Sequence, residues 1–306
     1  MTATPLGVTV AVAVAAVLDW AFQEPPAELH PVAWFGRLVD GIAHREYPAP
    51  RLVGALVALA LPLGAAALVY GLLWLATPLH AVVVSVLAGL ALWTTTSLRL
   101  LLDVGERVVA DSADDLQAAR EALPALVGRD VAGLSPELVR SAAVESLAEN
   151  LSDGLVAPLF AFAVLSFVSL PAAAAGAAFV KAVNTLDSML GYPGAFGWGS
   201  ARLDDLVMFV PARLTALLVG LAAGDPDAPW RARRYARATP SPNAGWPMGA
   251  LAAALNVRLE KPGGYVLNEV ADHPTVADGR AAVAAVRRAG VAAYGTVALA
   301  GVVRWL

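Results

Sequence analysis

Three stretches of this chain, 52–76, 79–98 and 155–180, contain no Asp, Glu, Lys or Arg, and they limit what it can fold into more than any other feature. Crossing the hydrocarbon core of a bilayer takes about 20 residues of helix, and each stretch is long enough. Two further apolar runs follow: 206–223, interrupted only by Arg213, and 289–303. Charged residues make up 15% of the chain, against about 25% in a soluble domain, so a polar coat is missing. The expectation is an all-α fold, a polytopic integral membrane bundle forming one membrane-embedded catalytic domain over 1–306. The run 6–18 has the length of a signal-peptide core. It lacks a preceding basic residue and a small-x-small cleavage pattern, so it reads as a retained first helix.

Between the apolar runs lie three polar stretches, 19–51, 99–154 and 224–288. They carry three, five and nine of the 21 basic residues. The Lys/Arg bias of membrane loops places all three on the cytoplasmic side. The 77–80 turn then falls outside, and 52–98 becomes a helical hairpin. Within 99–154 the helices should break near Pro124 and Gly128, and Ser135-Pro136-Glu137 reads as a helix start. Pro171 divides 155–180, which predicts a hairpin that dips in and returns, leaving 181–205 on the same side as the other polar stretches. Irregular backbone at that depth has to be buried in protein or line a wet cavity.

Several chemistries drop out. There is no Cys, so disulfides, thiolate catalysis and Cys-bound metals are excluded. The four His are scattered singly, no G-x-x-x-x-G-K-[ST] loop occurs, and the net charge of −4 offers no basic footprint for nucleic acid. Four polar clusters remain. Glu145 and Glu149, at i and i+4, share a helix face, with Ser152 or Asp153 one turn on. Two like charges so placed repel, and a shared cation, Mg²⁺ being suited to oxygen ligands, or a basic substrate would relieve them; a solvated face ending at the membrane surface is the alternative. Lys181, Asn184 and Ser188 form one helical stripe beside an apolar run, where an ionisable group is costly to bury unless it snorkels to the interface. A glycine-rich loop over 191–199 leads into Arg202, Asp204, Asp205 and the run holding Arg213, with Arg202 and Asp205 spaced to pair. Last, 239–247 is a rigid Pro-rich turn around Asn243, preceded by Arg231, Arg233, Arg234 and Arg237; these could hold phosphate or simply anchor the chain at a head-group surface.

Taken in order, the clusters resemble the adenosylcobinamide-phosphate synthase family of cobalamin biosynthesis over about residues 17–270. The resemblance rests on five groups of residues. The first is Leu18-Asp19, Glu24-Pro25, His30-Pro31-Val32 and Phe35-Gly36. The second is Glu145-Ser146-Leu147-Ala148-Glu149-Asn150, Asp153-Gly154 and Ala157-Pro158-Leu159-Phe160. The third is Lys181-Ala182-Val183-Asn184-Thr185-Leu186-Asp187-Ser188-Met189 with Gly191-Tyr192. The fourth is Phe196-Gly197-Trp198, Ser200-Ala201-Arg202-Leu203-Asp204-Asp205 and Pro211-Ala212-Arg213-Leu214. The fifth is Ser241-Pro242-Asn243-Ala244-Gly245-Trp246-Pro247. The chain departs from the family's pattern at Gln23, Met208, Thr239 and Met248.

The resemblance implies a membrane enzyme that uses ATP and Mg²⁺ to join adenosylcobyric acid to (R)-1-amino-2-propanol phosphate through an amide. It implies Glu145, Glu149, Asp153, Lys181 and Asp187 as catalytic, with Glu145 and Glu149 the Mg²⁺ ligands. Lys181, Arg202 and Arg213 would face phosphate, and Asn184 and Asn243 would orient the corrinoid amides. His30, Asn150, Ser188, Asp204 and Asp205 complete the expected substrate contacts. The lipid bilayer and other membrane enzymes of cobalamin assembly are the expected partners, and the site motifs face the cytoplasm. A prenyltransferase, a corrinoid permease and a relative without activity are the rival readings; the first would need repeated D-D-x-x-D motifs that are absent here.

The charge census makes a topological prediction. A reporter active only in the cytoplasm should work when fused within 111–115 or 224–227 and fail within the 77–80 turn. Labelling of 181–205 from outside intact cells would overturn the dipping hairpin.

Overall fold

The computed structural model describes residues 5–43, 45–191 and 194–303; Tyr192, within the third motif group, lies outside them, as does Pro193. The helices are α1 (Pro5–Phe22), α2 (Pro31–Ala43), α3 (Pro50–Leu75), α4 (Ala81–Trp93), α5 (Arg99–Asp114), α6 (Leu116–Ala122), α7 (Pro136–Leu151), α8 (Ala157–Leu165), α9 (Leu170–Leu190), α10 (Trp198–Val207), α11 (Phe209–Ala222), α12 (Ala228–Ala232), α13 (Gly245–Leu255) and α14 (Val276–Val303). A 3₁₀ turn, Leu123–Ala125, follows α6, and a π-helical turn, Ser152–Val156, joins α7 to α8. The chain is thus mostly helical, with one addition that the sequence did not announce. Leu259–Lys261 (β1) and Tyr265–Leu267 (β2) pair antiparallel, with Glu260 opposite Val266, and Gly263 takes the positive φ the turn between them needs.

The long apolar runs do not all become long helices. Among the described residues, two helical segments are long and apolar enough to cross a membrane, Pro50–Leu75 and the run Pro136–Leu165; α10 and α11 meet the same test only when counted as one broken span. The 79–98 run yields the 13-residue α4, which is too short to span. The 155–180 run is cut at 166–169, where Ser169 caps α9 by accepting from the Ala172 N–H at 3.1 Å. Pro171 stands in the first turn of α9, where its missing N–H costs nothing. Segments α8 and α9 pack against one another on either side of this break.

The chain forms two compact units. The first draws on 1–97, 153–208 and 294–306. Here α3 packs on α9 and α10, and α1 packs on α4. Small residues make these contacts. In α3 the buried positions are Gly54, Ala58, Pro62 and Leu73, three of them spaced by four, one stripe of a helix. Ala173, Ala174, Gly176 and Ala177 do the same for α9. Such faces let backbones approach closely without the hydrophobic drive that water supplies. Elsewhere α3 exposes Leu52, Leu56, Leu59, Leu63, Leu68, Leu72, Trp74 and Leu75. Only 17% of its apolar window is buried, the mark of a lipid-facing helix rather than a core one.

The second unit, 98–152 and 209–293, has a conventional core. Val108, Val109, Ala119, Leu123, Val131, Val139, Ala142 and Ala143 interlock from α5, α6 and α7. Every residue from Val139 to Ala148 is buried. The helix starts at Ser135, whose side chain accepts from the Leu138 N–H. Arg140 is buried because its guanidinium is spoken for: Nε donates to Pro274 O at 2.7 Å and Nη1 to Ser112 Oγ at 3.3 Å.

The packing of α3 can be tested inside one helix. A Cβ on Gly54 would strike the Phe196 carbonyl, whereas one on Gly64 meets nothing within 4 Å. Gly54→Ala should cost about 1–3 kcal/mol through overpacking. Gly64→Ala should gain up to about 1 kcal/mol from helix propensity. Melting curves in detergent that move the same way for both would refute the α3 packing.

Candidate functional site

In the first unit, polar groups collect where apolar helices end. The C-terminus of α4 is finished by three successive threonines that turn their hydroxyls back on the helix. Thr94 Oγ1 donates to Ala91 O (2.8 Å), Thr95 to Leu92 O (2.7 Å) and Thr96 to Leu92 O (3.2 Å). The next N–H, of Ser97, donates to Gly154 O at 2.8 Å. The start of α2 is closed by His30, whose Nδ1 accepts from the Val32 N–H at 3.2 Å. That bond puts the ring proton of neutral His30 on Nε2, which faces Glu24 Oε2 at 3.6 Å. Burial works to raise the Glu24 carboxyl, but hydrogen bonds from His30 and Ser97 and the charge of Lys181 outweigh it and hold the group below the usual carboxylate range. The Lys181 ammonium interacts with the carboxylates of both Glu24 and Asp153. Asn184 donates to Asp153 Oδ2 at 3.1 Å. Glu24, His30, Thr94, Thr95, Thr96 and Lys181 border a cavity of about 310 Å³.

A second group lies toward the end of α9. Ser188 is exposed and its hydroxyl donates to Asn184 O. Arg202 and Asp205 pair at 3.2 Å, as their i, i+3 spacing predicts. Asp204 is buried on the same helix. Asp187 packs its Oδ1 against Gly191, where any side chain would collide with it. That oxygen is buried without a hydrogen-bond partner among the described residues. Burial, then the charge of Asp205, pushes the Asp187 carboxyl up to about 6.

The second unit holds Glu145, Glu149, Asn150, Arg213 and Asn243. The Glu145 carboxylate accepts from Ser141 Oγ (3.1 Å) and from the Tyr265 hydroxyl (3.0 Å), and it faces Arg129 at 3.6 Å. Glu149 acts on the same phenol: burial and the charges of Glu145 and Glu149 all push the Tyr265 hydroxyl up. The shared face of the two glutamates is therefore real. The positive charge their spacing called for comes, at Glu145, from Arg129. No group of three Asp, Glu or His side chains converges among the described residues, and with Arg129 and two hydroxyls on it the Glu145 carboxylate does not fit a Mg²⁺ shell.

Asn150 donates to Leu126 O (3.2 Å), tying α7 to the 3₁₀ turn. Arg213 donates to Phe209 O (2.6 Å) and to Asn243 Oδ1 (2.7 Å), and it lies over the Phe209 ring. Three of the four departures from the family's pattern fall inside the protein. Met208 packs with Ala157 and Val180, Met248 touches the Tyr265 hydroxyl, and Thr239 donates to Ser241 O.

So the structure brings Asp153, Lys181, Asn184 and His30 together, and pairs Arg213 with Asn243. Asp153 itself lies within the π-helical turn that follows α7. Sequence reasoning gave no role to Glu24, Thr94–Thr96, Arg129 or Tyr265. The run Thr94-Thr95-Thr96-Ser97 at the end of an apolar stretch was the signal for the cavity.

The family model described as CobD/Cbib protein matches residues 12–293. A probable cobalamin biosynthesis protein CobD of Methanothermobacter thermautotrophicus is 38% identical over 267 residues, covering 84% of this chain and 86% of that one. The cobalamin biosynthesis protein CobD of Rhodobacter capsulatus is 41% identical over 283 residues, 85% of each. That of Mycobacterium tuberculosis is 40% identical over 300 residues, 92% of this chain and 89% of its own. No solved structure matches.

Asp187 yields a stability prediction with a definite sign. Its folded carboxyl titrates near 6 against 3.8 in the unfolded chain. Below the lower value both states are protonated and nothing is lost. As the pH rises through the interval the unfolded chain ionises first, and stability falls. Asp187→Asn should therefore raise the melting temperature at pH 7.5 and not at pH 3.5. Two units correspond to roughly 3 kcal/mol, reduced by solvent screening to about 1–2 kcal/mol. An equal shift at both pH values would exclude the buried carboxyl as its cause.

Proposed function

The chain belongs to the CobD/Cbib protein family, and from that premise we propose that it serves cobalamin biosynthesis as an amide synthase. In this reading it joins the amine of (R)-1-amino-2-propanol phosphate to the f-side-chain carboxylate of adenosylcobyric acid, with ATP consumed. The exposed apolar face of α3 supports a place in the bilayer. The polar stretches 19–51, 99–154 and 224–288 lie on the cytoplasmic side, where ATP is available.

The observation that best supports the chemistry is the cavity of the first unit. It sets a lysine and two carboxylates beside a recess that admits a small molecule. A carboxylate and an amine do not condense at neutral pH, because the carboxylate is resonance-stabilised and the amine is protonated. ATP supplies the activation, as an acyl phosphate. The protein's share is to position the amine, balance charge and keep water from the activated acyl group. Apolar helices around a small polar recess suit the last task. Mg²⁺ in this scheme comes held chiefly by nucleotide phosphates with one or two carboxylates, its common mode. Glu149 is the more suitable of the two glutamates on α7, since Glu145 is committed to Arg129, Ser141 and Tyr265.

The test uses purified protein in detergent with adenosylcobyric acid, aminopropanol phosphate, ATP and Mg²⁺, read by mass spectrometry. Adenosylcobinamide phosphate should form, and only with ATP present. Glu149→Gln should accumulate normally and lose most of the turnover. Folded wild-type protein that forms no amide under these conditions would favour the inactive relative. Undiminished turnover by Glu149→Gln across a Mg²⁺ titration would leave that carboxylate a solvated face.

A further inference from the structure

We propose that the cavity lined by Glu24, His30, Thr94, Thr95, Thr96 and Lys181 is the subsite for the ammonium end of the small amine substrate, with Glu24 the carboxylate that receives it. The inference rests on the synthase reading and assigns the cavity a polarity opposite to the one expected from Lys181 alone.

Three features of the cavity agree. The first is the direction of the threonine hydroxyls. Thr94, Thr95 and Thr96 each give their proton to a carbonyl of α4. Toward the cavity they can offer only oxygen lone pairs, and one of Thr96's is already taken by the Tyr294 hydroxyl at 3.0 Å. A lining of acceptors suits a group that brings donors. An ammonium brings three; a phosphate brings oxygens, which need donors opposite them.

The second is charge. The titratable groups lining the cavity are Glu24, His30 and Lys181, and Asp153 acts on Lys181. The two carboxylates, Glu24 and Asp153, both act on the single ammonium of Lys181. Lys181 is thereby spent on holding Glu24 and Asp153, and Asn184 steadies Asp153 from the far side. An arriving phosphate would have to take Lys181 from two carboxylates that then lack a counter-charge. An arriving ammonium completes the balance. Glu24 is also the accessible one: its side chain is 33% exposed although His30, Ser97 and Lys181 all act on it.

The third is size. About 310 Å³ is at the bottom of the roughly 300–1,000 Å³ range of ligand pockets. That volume accommodates an amino alcohol. Lys181 is then a positioning residue for the carboxylates.

The test is calorimetric titration of the full-length protein in detergent with three probes: 1-amino-2-propanol, its phosphate ester, and isopropyl phosphate, which lacks the amine. Both amines should bind saturably and compete with one another, and isopropyl phosphate should displace neither. Glu24→Gln should weaken both amines by at least about tenfold, as loss of a charge-assisted hydrogen bond would. It should raise the KM for the amine in amide formation while leaving that for the corrinoid unchanged. If Glu24→Gln does not accumulate, Thr94→Val removes one acceptor at constant volume and should weaken the amines several-fold. Displacement by isopropyl phosphate, or amine affinity unaltered in either variant, would overturn the subsite. Amide formation by the wild type together with an unaltered amine KM in Glu24→Gln would sink the subsite and spare the synthase reading. Glu24-dependent amine binding without any amide formation would do the reverse.

Discussion

A helix that ends within apolar surroundings leaves up to four carbonyls or four N–H groups without partners, and the first unit is organised around answering that demand. The answers come from the chain's own side chains. Thr94, Thr95 and Thr96 serve the end of α4, Ser169 the start of α9, His30 the start of α2 and His80 the start of α4. Each of these is a polar side chain that the apolar runs could not otherwise hold. Around α4, α2 and α9 such groups also meet Glu24 and Lys181, and a polar recess results. The site is thus a by-product of helix termination that has been given charge.

The second unit solves a related problem by different means. There the middle of α7 is buried all round, and its two buried charged residues, Arg140 and Glu145, are kept by fixed partners: the Pro274 carbonyl and Ser112 for one, Arg129, Ser141 and Tyr265 for the other. Ser141 also accepts from the Glu260 N–H at 2.7 Å, which docks β1 onto α7. On that strand Glu260 is pulled both ways: burial raises its carboxyl, and Arg258 and His273 more than offset this and lower it. A short hairpin that would be unstable alone is secured by these charge-assisted bonds.

What could be read beforehand was whatever depends on neighbours within a turn or two. The common face of Glu145 and Glu149, the Arg202–Asp205 pair, the capping by Ser135 and the break of 155–180 near Pro171 all follow from local spacing. Helix lengths were harder, because an uncharged run marks where apolar residues are, not where hydrogen bonding stops. Thus 79–98 contains only the short α4. The hairpin 259–267 was invisible: strands of three residues carry almost no alternation to detect. The cavity was hardest, since its walls come from residues near 24–33, 94–96 and 181. Lys181 illustrates the point. From the sequence it is a lone cation beside an apolar run, and its natural partner is an anionic ligand. Its surroundings contain two carboxylates from distant segments, and that reverses what it can do.

The π-turn at Ser152–Val156 is a place where the helix has absorbed one surplus residue without opening a loop. Its Ser152 hydroxyl is buried with no hydrogen-bond partner among the described residues. The neighbouring Asp153 is not left so: Asn184 donates to it at 3.1 Å, and Lys181 supplies the charge opposite it. Where a helix changes its pitch, one polar side chain is thus stranded and the next becomes a fixed point for the lysine that serves the cavity.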